Sequence, residues 1–294
     1  MKRLHAAGTS AKVSVVYLCR LFGRSKQAYY KNENHFLRRI IKEEMIVDFV
    51  RQERGHCAGI GGEKLWYKYN EEYPIEYRMG RDAFMDVLYA HKLTLRRKRR
   101  RCRTTDSAHP YPLYPNLVKG LEVTYFGQVI VADITYIRME VGFCFLSIVT
   151  DVYSRNIIGY YVGENLEADH TMMALKMALA RLGDIPREKG CIHHSDRGVQ
   201  YACYGYTDIL KKSGVSVSMT QSGDPKDNAI AERVNGILKG EFLNAHRFKD
   251  IEQVRKAVDD AVYYYNNKRP HRSLDMQTPQ KRAMAESDYS YTCW

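Results

Sequence analysis

A carboxylate set inside an apolar, β-branched run constrains this chain more than any other feature. Val129, Ile130, Val131, Ile134 and Ile137 surround Asp133 in VIVADITYI, a pattern that predicts a buried strand. An ionised group in such a strand is costly unless it is paired or bound to a metal. Two further acids stand in different local contexts. Asp196 ends a short strand in HHSDRGVQY, just before the turn at Arg197 and Gly198. Glu232 falls one turn into a helix that Asp227 or Asn228 is placed to cap. A strand, a strand end and a helix meet at one point only in a tertiary fold, and three converging carboxylates make an oxygen-rich site suited to Mg²⁺ or Mn²⁺.

The surrounding pattern predicts strands over 128–138, 143–150 and 155–162, a helix over 168–182, a strand over 190–195 and a helix over 203–213. A strand over 215–220 and helices over 228–243 and 251–267 follow. Three consecutive strands followed by alternating helices and strands give a mixed sheet covered on both faces. This order resembles the ribonuclease-H-like plan, which implies that the first strand's Asp133 lies beside the fourth strand's Asp196. Asp151, opening the turn DVYSR, is read as a turn-stabilising residue rather than a ligand.

These residues and their order resemble a bacterial insertion-sequence transposase of the OrfB type, with a retroviral-integrase-like DDE catalytic core. Lys239 follows Glu232 by seven positions, nearly the same helix face, as the basic residue of the DDE-K signature does. FLSIVTDVYSRNIIGY around Asp151, the tripeptide Asp227–Ala229 and YYYNNKRPHRSL near the C-terminus extend the likeness over about residues 122–282. Where the family often has Trp and Thr ahead of the first Asp, this chain has Ile130 and Ala132. The resemblance implies an α/β, ribonuclease-H-like mixed five-stranded sheet flanked by helices and preceded by small all-α helix-turn-helix modules.

It also implies divalent-metal-dependent cleavage at the element's ends and strand transfer, with Asp133, Asp196 and Glu232 holding two Mg²⁺ ions, or Mn²⁺ in their place. Two such ions stand roughly 3.5–4 Å apart in enzymes of this chemistry. Lys239 is the candidate to hold transposon-end DNA. His194 shares the side of the strand that carries Asp196 and is a candidate phosphate contact, a packed structural histidine being the equal alternative. Asn228 is expected to set the first turn of the Glu232 helix beside the DNA, and Asn235 to point away from the Lys239 edge. Arg269, His271 and Arg272 are weaker phosphate candidates, and Tyr263, Tyr264 and Tyr265 are read as core or interface aromatics.

Charge divides the chain. The net charge of +12 favours a polyanionic partner, and residues 1–103 hold 24 Lys/Arg against 11 Asp/Glu, so the whole excess is N-terminal. Within it, residues 13–31 read as helix, Gly23 turn and a second helix capped by Ser25, a helix-turn-helix pattern that places Arg24 and Lys26 on DNA. The division expected is a module over 1–34, a second helical module over 35–95 with a long amphipathic helix at 36–55, a linker over 96–121, and a catalytic core with a helical extension over 122–294. The linker opens with Arg96, Arg97, Lys98, Arg99, Arg100 and Arg101, a charge block that gains affinity along a phosphate backbone by counterion release.

The seven cysteines are scattered without a C-x-x-C pair, which favours reduced thiols over zinc ligation. No secretory segment or membrane span is read, so a cytoplasmic protein associated with DNA is expected. The partners implied are terminal inverted repeats, target DNA and further copies of the chain on DNA. Two arrangements are compatible, action alone or as the downstream half of a frameshift fusion with an OrfA protein. A DNA-binding regulator derived from such an enzyme, and a ribonuclease-H-type nuclease without strand transfer, are the competing readings. An intact triad with Lys239 disfavours the first, and the basic front modules disfavour the second.

Overall fold

The computed structural model describes residues 14–95, 110–183, 190–221, 228–285 and 291–292. Four helices come first: α1 (Val15–Leu21), α2 (Lys26–His56), α3 (Gly62–Glu72) and α4 (Arg81–Ala90). Ser14 and Ser25 cap the first two, their side chains accepting from Tyr17 N and Ala28 N, and Gly23 makes the turn between them at φ 61°, a conformation glycine adopts without steric cost. The helix expected over 36–55 begins ten residues earlier, at Lys26. No Gly or Pro stands between Lys26 and Arg54, so nothing breaks it.

The chain then forms β1 (Glu122–Val123), β2 (Val129–Arg138), β3 (Phe143–Asp151), β4 (Ile157–Gly163), α5 (Ala168–Leu182), β5 (Ile192–Ser195), α6 (Val199–Ala202), α7 (Tyr204–Lys212) and β6 (Ser216–Met219). Next come α8 (Ala229–Ile237), a π-helical turn (Leu238–Phe242), α9 (Ile251–Asn267), α10 (Pro279–Met284) and β7 (Tyr291–Thr292), which pairs with β1. The five-stranded sheet has the order β4-β3-β2-β5-β6. β2 runs antiparallel to β3 and parallel to β5, and β6 is parallel to β5. This is the ribonuclease-H-like mixed sheet, with β2 at its centre. Among the described residues no helix is long and apolar enough to cross a membrane.

Strand parity assigns the two faces. Ile130, Ala132 and Ile134 enter a core with Ala174, Leu175, Tyr206 and Leu210 beneath α5 and α7, so the two departures from the family's usual residues are simply buried there. Val129, Val131, Asp133, Thr135 and Ile137 take the opposite face, under α8. A larger core joins β3, α8 and α9 to the front helices, for Ile46, Val50, Leu65, Tyr69 and Phe84 pack with Leu146, Ile148, Leu238 and Tyr265. The strand expected to begin at 155 starts at Ile157, because the buried Asp151 first closes a turn. Its carboxylate accepts from Gly127 N at 2.8 Å, Ser154 N at 2.7 Å and Ser154 Oγ at 2.5 Å, the stabilising role its position suggests.

Gly59 marks where the front helices meet the core. Its N–H donates to Glu241 O at 2.8 Å, and a Cβ there would lie 2.5 Å from Glu241 Cα and 2.8 Å from Gly240 O. Both obstacles are backbone, so neither yields by rotamer change. Gly59→Ala should therefore destabilise the protein by about 1–3 kcal/mol, the usual cost of overpacking. Gly61→Ala, where a Cβ meets nothing within 4 Å, should be near neutral. Denaturant melts of the two variants check this, and equal midpoints would contradict the close approach.

Candidate active site

Asp133 and Asp196 are brought together by strand register. β2 pairs with β5 as Val129↔Ile192, Ile130↔His193 and Val131↔His194. Extending that register by two residues sets Asp196, just past the end of β5, opposite Asp133 and on the same face. Asp133 is 5% exposed, and its Oδ1 accepts from Ile134 N at 2.9 Å while Oδ2 accepts from the Asn235 amide at 2.7 Å. Asp196 is partly exposed, and its Oδ1 accepts from Gly198 N at 3.0 Å, which fixes the carboxylate at the turn after β5.

The third acid, Glu232, lies on α8, the helix that packs over β2. Asn228, Glu232, Asn235 and Lys239 fall within about 60° of one another around an ideal helix. Three of the four are fastened to β2: Asn228 Nδ2 donates to Ala132 O at 3.1 Å, Asn235 to Asp133, and Lys239 Nζ to Thr135 Oγ1 at 3.3 Å. Lys239 Nζ also lies 4.0 Å from the centre of the Tyr136 ring, a cation–π contact. Glu232 rides the outer edge of this stripe and is solvent-exposed. Among the described residues no three His, Cys, Asp or Glu side chains form a ready-made metal cage. Converging carboxylates repel one another, and Glu232 extends outward while an amide occupies the second oxygen of Asp133.

Several expectations are corrected by these contacts. Asn235 points toward the site, not away from it. Its spacing of three from Glu232 and four from Lys239 is the sequence signal for this, since such neighbours share a face. Asn228 occupies the N-cap position, but its side chain makes no cap hydrogen bond; it is buried against β2 and is no outward DNA contact. His194 is 1% exposed with Nδ1 2.8 Å from Ser218 Oγ of β6, so it serves as packed sheet structure rather than a phosphate ligand. The helix expected to reach 243 is α-helical only to Ile237, and Lys239 stands in the π-helical turn. Arg24 and Lys26 are exposed at the turn into α2. Arg96, Arg97, Lys98, Arg99, Arg100 and Arg101 lie outside the described residues, as does Asp227.

The π-helical turn has its own anchor. Glu241, two positions after Lys239, accepts from Arg269 Nε at 2.8 Å and Nη2 at 2.6 Å, and from Lys64 Nζ at 3.3 Å. Burial alone would raise the Glu241 carboxyl, but Arg269 and Lys64 more than offset it and hold its pKa below the ordinary value. Arg269, 2% exposed, also donates to His271 Nε2 at 3.0 Å. Both are therefore buried and tied to one another and to Glu241 rather than presented outward to a phosphate, and only Arg272 of that trio is exposed. Tyr264 and Tyr265 are buried, whereas Tyr263 is exposed.

The Asn235–Asp133 bond is testable without any assay of function. Asn235→Ala leaves a buried carboxylate oxygen short of a donor and should cost about 1–3 kcal/mol. In a double-mutant cycle with Asp133→Ala, which removes the acceptor, chemical denaturation should reveal a coupling of at least ~0.5 kcal/mol, as contacting residues show. Additive losses would contradict the contact.

The integrase core domain family matches residues 126–225 and again 213–279. The insertion element IS600 31 kDa protein of Shigella sonnei is 33% identical over 270 residues, covering 89% of this chain and 96% of that protein. The transposase for insertion sequence element IS629, also of Shigella sonnei, is 35% identical over 56% of this chain and 52% of its own length. A putative transposase for IS986/IS6110 of Mycobacterium tuberculosis is 29% identical over 79% and 84% respectively. Among solved structures, the HTLV-2 integrase catalytic core domain in complex with magnesium aligns with a TM-score of 0.43 and 16% identity, over 56% of this chain and 99% of that one. Matched over 89% of its length by an insertion-element protein and across its sheet by the integrase core, the chain belongs to the insertion-sequence transposases with an integrase-like core domain.

Proposed function

We propose that this chain is a DDE transposase, a polynucleotidyl transferase that cuts DNA at the ends of its insertion sequence and joins them to a target. The observation that carries the reading is the alignment of Asp133 with Asp196 across β2 and β5, beneath a helix edge that presents Glu232 and Lys239. The donor set fits a hard divalent cation, since it is all oxygen. Two buried amide oxygens, Asn228 Oδ1 and Asn235 Oδ1, have no hydrogen-bond partner among the described residues and adjoin the same strand. Mg²⁺, or Mn²⁺, held by Asp133, Asp196 and Glu232 would supply charge neutralisation and an activated oxygen nucleophile, with two ions the proposed number.

The chain's own residues do the positioning. Asn235 holds the Asp133 carboxylate in one orientation, and the Gly198 N–H does the same for Asp196. Lys239 brings a cation to the rim, where its stem leans on Tyr136 and its ammonium can neutralise a DNA phosphate. The proposed sequence is hydrolysis of a phosphodiester to free a 3′-hydroxyl at the element's end, then attack of that hydroxyl on a target phosphodiester. Each step exchanges one P–O bond for another, so no covalent link to the protein is needed. Exposed Arg24 and Lys26, with the basic block from Arg96 to Arg101, are proposed to grip the terminal repeats as copies assemble on DNA. The OrfA protein, as partner or fusion, is the proposed source of further recognition.

Asp133→Asn, Asp196→Asn and Glu232→Gln should each abolish divalent-metal-dependent cleavage of an end-bearing duplex while leaving its binding largely intact. Near wild-type strand transfer by any of them would remove that residue from the site. Lys239→Ala should depress both steps without unfolding the core, since the residue is half exposed and Asn228 and Asn235 still tie α8 to β2. Activity equal to wild type at low and physiological salt would return Lys239 to a packing role.

A further inference from the structure

The opposite flank of α8 faces an unassigned cavity of about 780 Å³. Ala229, Ile230, Arg233 and Ile237 form its α8 wall, about 100–180° around the helix from the stripe that holds Asn235 and Lys239. Its charged lining is lopsided. Lys64 comes from α3, Arg155 from the β3–β4 turn, Arg233 from α8 and Arg272 from the segment after α9, while Glu63 is the one acid of the lining. Glu63 lies 3.9 Å from Arg272 at an exposed rim, where such a pair contributes little. Arg233 has no ion pair among the described residues and is exposed.

Two further observations bear on what the cavity receives. Arg155 adopts φ 62°, a left-handed conformation uncommon for a residue with a side chain and held against its cost by the surrounding structure. The turn thus holds a guanidinium against the cavity at some expense. His271, which also lines it, is pushed down to about 2 by burial and then by Arg269, Lys64, Arg155 and Arg233. Four cations therefore act on one neutral ring, while the inner carboxylate, Glu241, is taken up by Arg269 and Lys64.

We infer that this cavity binds a backbone phosphate of the DNA strand that crosses α8, held by Arg233 and Arg155 with Arg272 at the rim. The inference rests on the proposed action on DNA. A helix is about 10–12 Å across with its side chains, so a strand engaged at the Glu232 edge passes close to the cavity on the other flank. Arg233 and Glu232 are sequence neighbours that split the exposed side of α8 between these two tasks. The cavity would fix the path of the strand, and the carboxylate edge would fix the bond to be cut.

The experiment measures binding of the full-length chain to a duplex carrying the element's end, by fluorescence anisotropy over a range of salt. The variants are Arg233→Ala, Arg272→Ala and their double, both positions being exposed and tolerant of truncation. Removing one phosphate-neutralising side chain should reduce the slope of log affinity against log salt by about 0.9, so the double variant should flatten it by nearly two. Lys176→Ala, an exposed change on α5 across the sheet, should leave the slope unchanged. If the wild type binds and cuts the duplex but the Arg233 and Arg272 variants keep its slope, the cavity is not a phosphate site. An equal flattening from Lys176→Ala would overturn it too, since the effect would then be one of overall charge. A wild type that neither binds nor cuts would overturn both this site and the functional reading beneath it.

Discussion

The hydrogen bond from the Asn235 amide to the Asp133 carboxylate is the contact on which the rest of the site depends. Asp133 stands in the central strand, with β3 on one side and β5 on the other, and a charge so placed must be satisfied from above. α8 does this, and in doing so its register on β2 is fixed by the polar contacts of Asn228, Asn235 and Lys239. Apolar packing of Val234, Ile237 and Leu238 supplies most of the attraction, at roughly 1.5–3 kcal/mol for each buried side chain. Apolar contact alone tolerates sliding, however, whereas an amide aimed at one carboxylate does not. Glu232 and Lys239 are thereby set at the rim as a consequence of where Asn235 is tied.

The π-helical turn extends this constraint to distant parts of the chain. A π turn widens the helix and commonly accompanies functional positions. Here Arg269 and Lys64 converge on Glu241, and Gly59 meets its carbonyl, so segments from both ends of the chain close on the same turn. A buried pair of this kind is weak support for stability, because desolvation consumes much of its Coulomb energy. Its stronger effect is geometric, since a two-pronged guanidinium accepts one carboxylate orientation well. The front helices are consequently packed into the same core as the sheet, and their basic surface is carried on a body continuous with the acidic site.

Much of this was legible in the sequence where periodicity and punctuation agree. The order of the main strands and helices, the Gly23 turn, the Ser25 cap and the Asp151 turn all follow from local pattern, the central position of β2 follows from the resemblance, and the structure carries each of them. What the sequence concealed was the direction of polar side chains. His194 shares a parity with Asp196, yet a Ser on the neighbouring strand claims its ring. The basic residues of KRPHR look like phosphate ligands because nothing local announces that Glu241, 28 residues before Arg269, will meet one of them. Asn235 was legible from its spacing, but an amide on a helix is ordinarily read as surface. The π turn left no local signature, and the residues that clamp Glu241 within it lie far away in the sequence.

The claim that α8 delivers Glu232 to the Asp133–Asp196 pair can be tested by letting a redox-active ion report its own surroundings. Fe²⁺ substituted for Mg²⁺ in the full-length protein bound to end DNA, with ascorbate and peroxide, cuts the polypeptide backbone near the ion. Cuts should cluster around residues 133, 196 and 232 together, be suppressed by excess Mg²⁺ and disappear in the Asp133→Asn variant. Cuts near 133 and 196 with none near 232, or cuts that persist in Asp133→Asn, would contradict it.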